Sequence, residues 1–261
     1  MNIPALALGV KVTGSHVPPG VEIADTAVQD VVFVLVAIFF AQLGGGRLSM
    51  RELGFRPTPL RRAVGLIVLT LMAFLAFSLI WSAIFEAGKE NLLEKLGTAE
   101  NTALLLLSAG LTCVVAPICE EVLFRGYIFT ALRNWRGVLP AALISGLAFG
   151  AVHIGSAPAV DLVPLAALGF GLCLLYRSTG SLYPCIAGHS LNNSLAFGSL
   201  EKWSWQIPLL MLAALALIAA LVLVLARATD ASAGLEASAS RGESLLDVRE
   251  RADGLSPRRG S

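Results

Sequence analysis

Three short segments of this chain carry ionisable or amide side chains between apolar neighbours. The first is Glu120-Glu121-Val122-Leu123-Phe124-Arg125, which follows directly on the apolar run ending in Pro117-Ile118-Cys119. The second is Phe149-Gly150-Ala151-Val152-His153, and the third is His189-Ser190-Leu191-Asn192-Asn193. Ionisable residues inside apolar helices are costly in lipid, so each segment is a candidate functional site. Helical spacing sorts them. Positions four apart share a face, which aligns Glu121 with Arg125 and lets the two charges neutralise each other. Glu120 lies about 100° further round the helix, away from the Arg and open to chemistry. The bland alternative is two interfacial acids marking a helix end.

Phe149 and His153 are also four apart, so the ring packs towards the imidazole; a His in that setting, taken alone, reads as a packing residue. His16 carries only that reading. His189 and Asn193 share a face, with Asn192 beside them. A His and an amide on one turn can hold a metal or donate hydrogen bonds to an oxyanion. They can equally serve as hydrogen-bonded glue between helices. Taken together, the segments place an acid, two imidazoles and an amide on three apolar helices. Amide hydrolysis needs an activated water and a stabilised oxyanion. A Glu beside a His activates water directly, or a metal held by His does so. Serine chemistry has little support, because Ser190 and His189 are adjacent and face different ways. No G-x-S-x-G or H-E-x-x-H segment occurs.

The order of these residues resembles a known family. Glu120, Glu121 and Arg125 form E-E-x-x-x-R, Phe149 and His153 form F-x-x-x-H, and His189 and Asn193 form H-x-x-x-N. The stretch TGSLYPCIAGHSLNN over 179–193 is similar to the same family's conserved-pattern block. The family is the CPBP family, which groups type II CAAX prenyl endopeptidases with bacteriocin-processing and self-immunity proteins. The resemblance covers roughly residues 100–200. It implies an intramembrane endopeptidase of CAAX-processing type, cutting a peptide bond near the C-terminus of a membrane-associated substrate. It implies a catalytic set of Glu120, Glu121, His153, His189 and Asn193. Glu120 would be the base on water and His153 its assistant, and His189 and Asn193 would bind the oxyanion or help hold a metal. A zinc or other divalent ion would sit on Glu120, His153, His189 and Asn193; a metal-free glutamate mechanism suits the same residues. The implied partner is a peptide or lipid-modified protein C-terminus, reached from the cytoplasm, with its lipid in the bilayer. Two other functions compete: a non-catalytic self-immunity or scaffold protein, and a transporter or proton relay. The second is weakened by the lack of an inverted repeat.

The elements that must position these residues follow from composition. The chain has 261 residues, is 56% hydrophobic and 14% charged, with a mean hydropathy of +0.76; soluble domains carry about 25% charged residues. A spanning helix needs about 20 apolar residues. Seven runs qualify as candidates: 27–43, 63–85, 102–119, 138–153, 160–176, 182–198 and 207–226. The expected fold is all-α, a polytopic transmembrane helix bundle of about seven spans over 27–226. The third run is predicted to continue as helix through 120–133. The fourth to sixth are short and hold Gly, Pro, His and Asn, which protein or a watery cavity must satisfy. Gly146 and Gly150 make a small-xxx-small pair that predicts close helix packing.

Residues 1–26 are expected to be a non-spanning leader, since Val17-Pro18-Pro19-Gly20 breaks a helix there and no basic segment precedes the apolar start. Residues 227–261 are expected to be a disordered cytoplasmic tail, with a short amphipathic helix near Leu245–Arg251. Arg47, Arg51, Arg56, Arg61 and Arg62 lie in one loop, Arg133 and Arg136 in another, and Arg177 and Arg227 after later spans. Alternate loops are poorer in basic residues. The positive-inside rule then puts the C-terminus in the cytoplasm. Trp203 and Trp205 read as an aromatic belt. A net charge of +1 offers no basic surface for nucleic acid. Cys113, Cys119, Cys173 and Cys185 read as small apolar packing residues rather than a disulfide framework or zinc knuckle.

Overall fold

A computed structural model describes residues 19–43, 50–85, 101–225 and 227. His16, most of the leader, the 86–100 loop and the tail beyond 227 lie outside the described residues. Every apolar run is helical: α1 Pro19–Leu43, α2 Leu60–Ile84, α3 Thr102–Arg136, α4 Val138–Ala151, α5 Leu162–Thr179, α6 Leu182–Leu200 and α7 Gln206–Leu225. No strand forms among the described residues; the turn after α4 holds one isolated bridge, Ile154 to Ala157. The fold is an all-α polytopic bundle.

Five stretches are long and apolar enough to cross a bilayer: α1, α2, α3, α7, and α5 with the short turn of helix before it. With α4 and α6 they make up the seven helices expected. α4 has only 14 residues, about 21 Å at 1.5 Å per residue. α6 has 19 but carries His189, Asn192, Asn193 and several serines. Both put their polar or small faces against other helices, where lipid does not reach. α1 also begins earlier than expected, at Pro19. A proline has no N–H to lose in the first helical turn and its φ is already helical, so this segment starts a helix instead of breaking one.

The chain divides into a unit over Met1–Leu217, which holds the site, and a second over Ile218–Ser261, described only through the last turns of α7. In the first unit, Phe33 meets Phe124 edge-on at 6.0 Å and Phe40 stacks on Tyr127 at 5.9 Å. The contacts advance along both helices in the same sense, so α1 and α3 run parallel. At one end Trp81 Nε1 donates to Val160 O at 2.8 Å. At the other, Leu182 N donates to Gly54 O at 2.8 Å and Ser181 Oγ to Arg56 O at 2.5 Å. Gly54 is needed there: its φ is +101°, and a Cβ would lie 2.6 Å from the Tyr176 hydroxyl. These bonds gather Arg51, Arg56 and Arg177 at the end where α3 finishes with Arg133 and Arg136.

The tightest helix contact is α4 on α5. A Cβ on Gly150 would lie 2.6 Å from Leu162 O, and one on Gly146 would lie 2.8 Å from Ala166 O. The small-xxx-small spacing therefore does here what it does in membrane bundles, letting two backbones touch. Both obstacles are backbone atoms, which cannot rotate away. Gly150→Ala is expected to cost about 1–3 kcal/mol of stability, read as a lower thermal unfolding midpoint in detergent. An unchanged midpoint would mean that α4 and α5 are not in this contact.

Candidate active site

Proline at position 117 shapes the helix that carries both acids. It has no N–H to give to the carbonyl of Cys113, four residues back, and its ring crowds that turn. The backbone responds with a π-helical turn over Leu111–Val115, in which Ala116 N–H bonds to Leu111 O instead of Thr112 O. π-turns of this kind recur at functional sites. Side chains of α6 satisfy the carbonyls so displaced: Ser190 Oγ donates to Cys113 O at 2.6 Å, and Asn193 Nδ2 to Thr112 O at 3.0 Å. These bonds lock α6 against α3 and set the register between His189 and the acids.

Glu121 and Arg125 are fully buried. The Arg125 guanidinium donates to Glu121 Oε1 at 2.7 Å and to Gly169 O at 3.1 Å. It also lies 4.7 Å over the Phe149 ring. Gly169 makes room for this, since a Cβ there would meet Phe149 Cβ at 2.8 Å. The same Glu121 oxygen accepts from His189 Nδ1 at 2.8 Å. A carboxylate on one ring nitrogen fixes the tautomer and aims the other nitrogen. That other nitrogen, His189 Nε2, faces Glu120 Oε2 at 3.8 Å. This is too long for a hydrogen bond, and Glu120 Oε2 has no partner among the described residues although Glu120 is 5% exposed.

Phe149 is the hub of the cluster. Its ring centre lies 5.2 Å from those of Phe124 and His153 and 5.4 Å from that of His189. His153 sits in the turn just past α4, half-buried, with Nδ1 at 2.8 Å from Phe149 O. That bond gives Nδ1 the proton and leaves Nε2 as an acceptor. Glu120 is in electrostatic reach of His189, His153, Glu121 and Arg125. The structure thus brings Glu120, Glu121, Arg125, His153 and His189 together around Phe149. Asn193 stands apart: its amide is turned to Thr112, eight residues before Glu120 and so about 12 Å along α3. Asn192 Nδ2 donates to Asn193 Oδ1 at 3.4 Å.

The donors expected for a metal do not converge. Among the described residues, no three His, Cys, Asp or Glu side chains lie close enough together to hold an ion. One nitrogen of each imidazole is already taken, and the Asn193 amide is engaged elsewhere. One residue beside the site belongs to none of the motifs. Asp30 of α1 is 1% exposed, neither carboxyl oxygen has a partner among the described residues, and it acts electrostatically on Glu120 and His189. It is the one acid of the apolar run 27–43, far outside the motif-bearing stretch.

The described residues thus form a helical bundle with a buried cluster of acids and imidazoles. Residues 102–195 match the family model for type II CAAX prenyl endopeptidase Rce1-like proteins, in agreement with the motif resemblance to the CPBP family. It is 32% identical over 118 residues to YdiL of Bacillus subtilis (strain 168), a protein named for a membrane peptidase; the match covers 42% of this chain and 44% of YdiL. It is 27% identical over 188 residues to an uncharacterised protein of Mycoplasma capricolum subsp. capricolum, covering 67% of this chain and 55% of that one. The chain spans about half the length of the curated relatives it matches. No solved structure matches it.

Proposed function

We propose that this integral membrane protein is an endopeptidase of the CAAX-processing type, with Glu120 as the base that activates water. One observation carries the reading. Of two adjacent buried acids, Glu121 is tied through Oε1 to both Arg125 and His189, whereas Glu120 Oε2 has no partner among the described residues and faces His189 Nε2 at 3.8 Å. A carboxylate paired with a guanidinium and an imidazole is held for structure; a base needs a lone pair that no cation or donor holds, aimed into the site.

In this reading Glu120 takes a proton from water, and the water oxygen bonds to the scissile carbonyl carbon. His189 Nε2 faces the same space and is held there by Glu121. His153, whose ring packs on Phe149 as that of His189 does, keeps Nε2 as an acceptor. Asn193 acts in this reading through α6, whose register on α3 its bond to Thr112 O fixes. The site lies roughly 9 Å along α3 from Gly126, the level where Leu53 and Leu182 meet α3 at the Arg-rich end. With that end cytoplasmic, by the positive-inside rule, a protein C-terminus would reach the acids from the cytoplasm with its lipid still in the bilayer.

The test is cleavage of peptides of several C-terminal sequences, with and without a lipid group, by purified protein in proteoliposomes. Hydrolysis of at least one is expected. Because the donors do not form a ligand set, a strong chelator is expected to leave kcat/KM unchanged. Loss of activity in chelator, restored by zinc, would replace the glutamate mechanism with a metal one.

A further inference from the structure

We propose that Asp30 is the acid of this site, supplying the proton that the leaving amine requires. The proposal rests on the hydrolase reading above and divides its acid and base work between two carboxyls.

The packing of α1 on α3 puts Asp30 in place. Phe33 touches Phe124, and the two helices run parallel. One turn back along each, from Phe33 to Asp30 and from Phe124 to Glu120, brings the carboxyls to one level. The charged groups acting on Asp30 are Glu120 and His189, and the Cys119 thiol lies beside it. No Lys or Arg is among them. Asp30 is 1% exposed and neither of its oxygens receives a hydrogen bond among the described residues.

Such a group is expensive unless it has work to do. An ionised carboxyl with no donor at either oxygen is an uncompensated charge in a lipid-embedded helix. An apolar residue would pack α1 against α3 at no such cost. A carboxyl that carries its proton avoids the charge and has that proton to give. Pairs of carboxyls held in different surroundings are how other sites separate acid from base.

The steps balance. Glu120 takes one proton from water, and the water oxygen bonds to the carbonyl carbon, whose π electrons move to its oxygen. The carbonyl then re-forms and the C–N bond breaks. Its electron pair stays on nitrogen, which takes the proton of Asp30. The products are a carboxylic acid and an amine. Glu120 now holds a proton and Asp30 has lost one. One proton passing between them resets the site.

Leaving-group dependence tests this. A peptide amide needs its nitrogen protonated to depart, whereas the same acyl group on an aryl ester departs as a phenolate unaided. For Asp30→Asn, kcat on the amide is expected to fall about 10²- to 10⁴-fold with KM held, and on the ester by about tenfold or less. Asn keeps the shape of Asp; Asp30→Leu, apolar in an apolar helix, is expected to show the same split and covers the case that Asn folds poorly. Equal losses on amide and ester in both variants, or no loss on either, would overturn the assignment while leaving the hydrolase reading intact. If the unaltered protein cleaves neither substrate, the hydrolase reading fails and Asp30 falls with it.

Discussion

A Glu120→Gln variant is expected to insert, fold and bind peptide, yet to lose about 10²- to 10⁴-fold of its cleavage rate. The change keeps the size of the side chain and removes only its basicity. Nothing in the fold depends on the charge. Glu120 Oε2 has no partner among the described residues, and His189 Nε2 stands 3.8 Å away. Removing an unpaired buried charge relieves desolvation, so the unfolding midpoint is expected to hold or rise. Loss of activity together with retained or raised stability is the signature of a residue kept for chemistry. Single-turnover cleavage in proteoliposomes, with thermal unfolding of the same preparation, reads both. Cleavage at the rate of the unaltered protein would remove Glu120 from the mechanism.

The helices were legible because apolar run length and helical period are one-dimensional signals. Each run from 27–43 to 207–226 is helical over nearly all of its described residues. The pairing of Glu121 with Arg125 needed only a spacing of four, and Gly146 and Gly150 announced the α4–α5 contact in the same way. The two helices that are least apolar or shortest, α6 and α4, bury their polar or small faces against protein. The relations that define the site are of another kind. That His189 Nδ1 bonds to Glu121, across 68 positions of sequence, depends on how α6 docks on α3. That docking depends on two carbonyls freed by a π-turn, which Pro117 explains only once the turn is seen. Asp30 was hidden for the same reason: its partner helix is α3, about 90 residues on, and no local spacing links them.

Breaking the Glu121–Arg125 pair is expected to have the largest effect on stability. Both side chains are 0% exposed. Arg125→Met removes the 2.7 Å bond to Glu121, the 3.1 Å bond to Gly169 O and the cation over Phe149. Glu121 would then be a buried carboxylate with His189 as its sole partner, and breaking a buried pair from one side costs about 3–5 kcal/mol. The double variant Glu121→Leu/Arg125→Met removes both charges and should recover much of that loss, since a buried pair can be replaced by apolar residues at little cost. Activity should not follow. With Glu121 gone, His189 Nδ1 loses the acceptor that fixes its tautomer and aims Nε2 at Glu120, so kcat falls while KM holds. Comparing thermal midpoints and cleavage rates of the single and double variants separates the two duties of Glu121. If the double variant regains activity along with stability, Glu121 merely balances a charge, and His189 is positioned by the bonds that Ser190 and Asn193 make to α3.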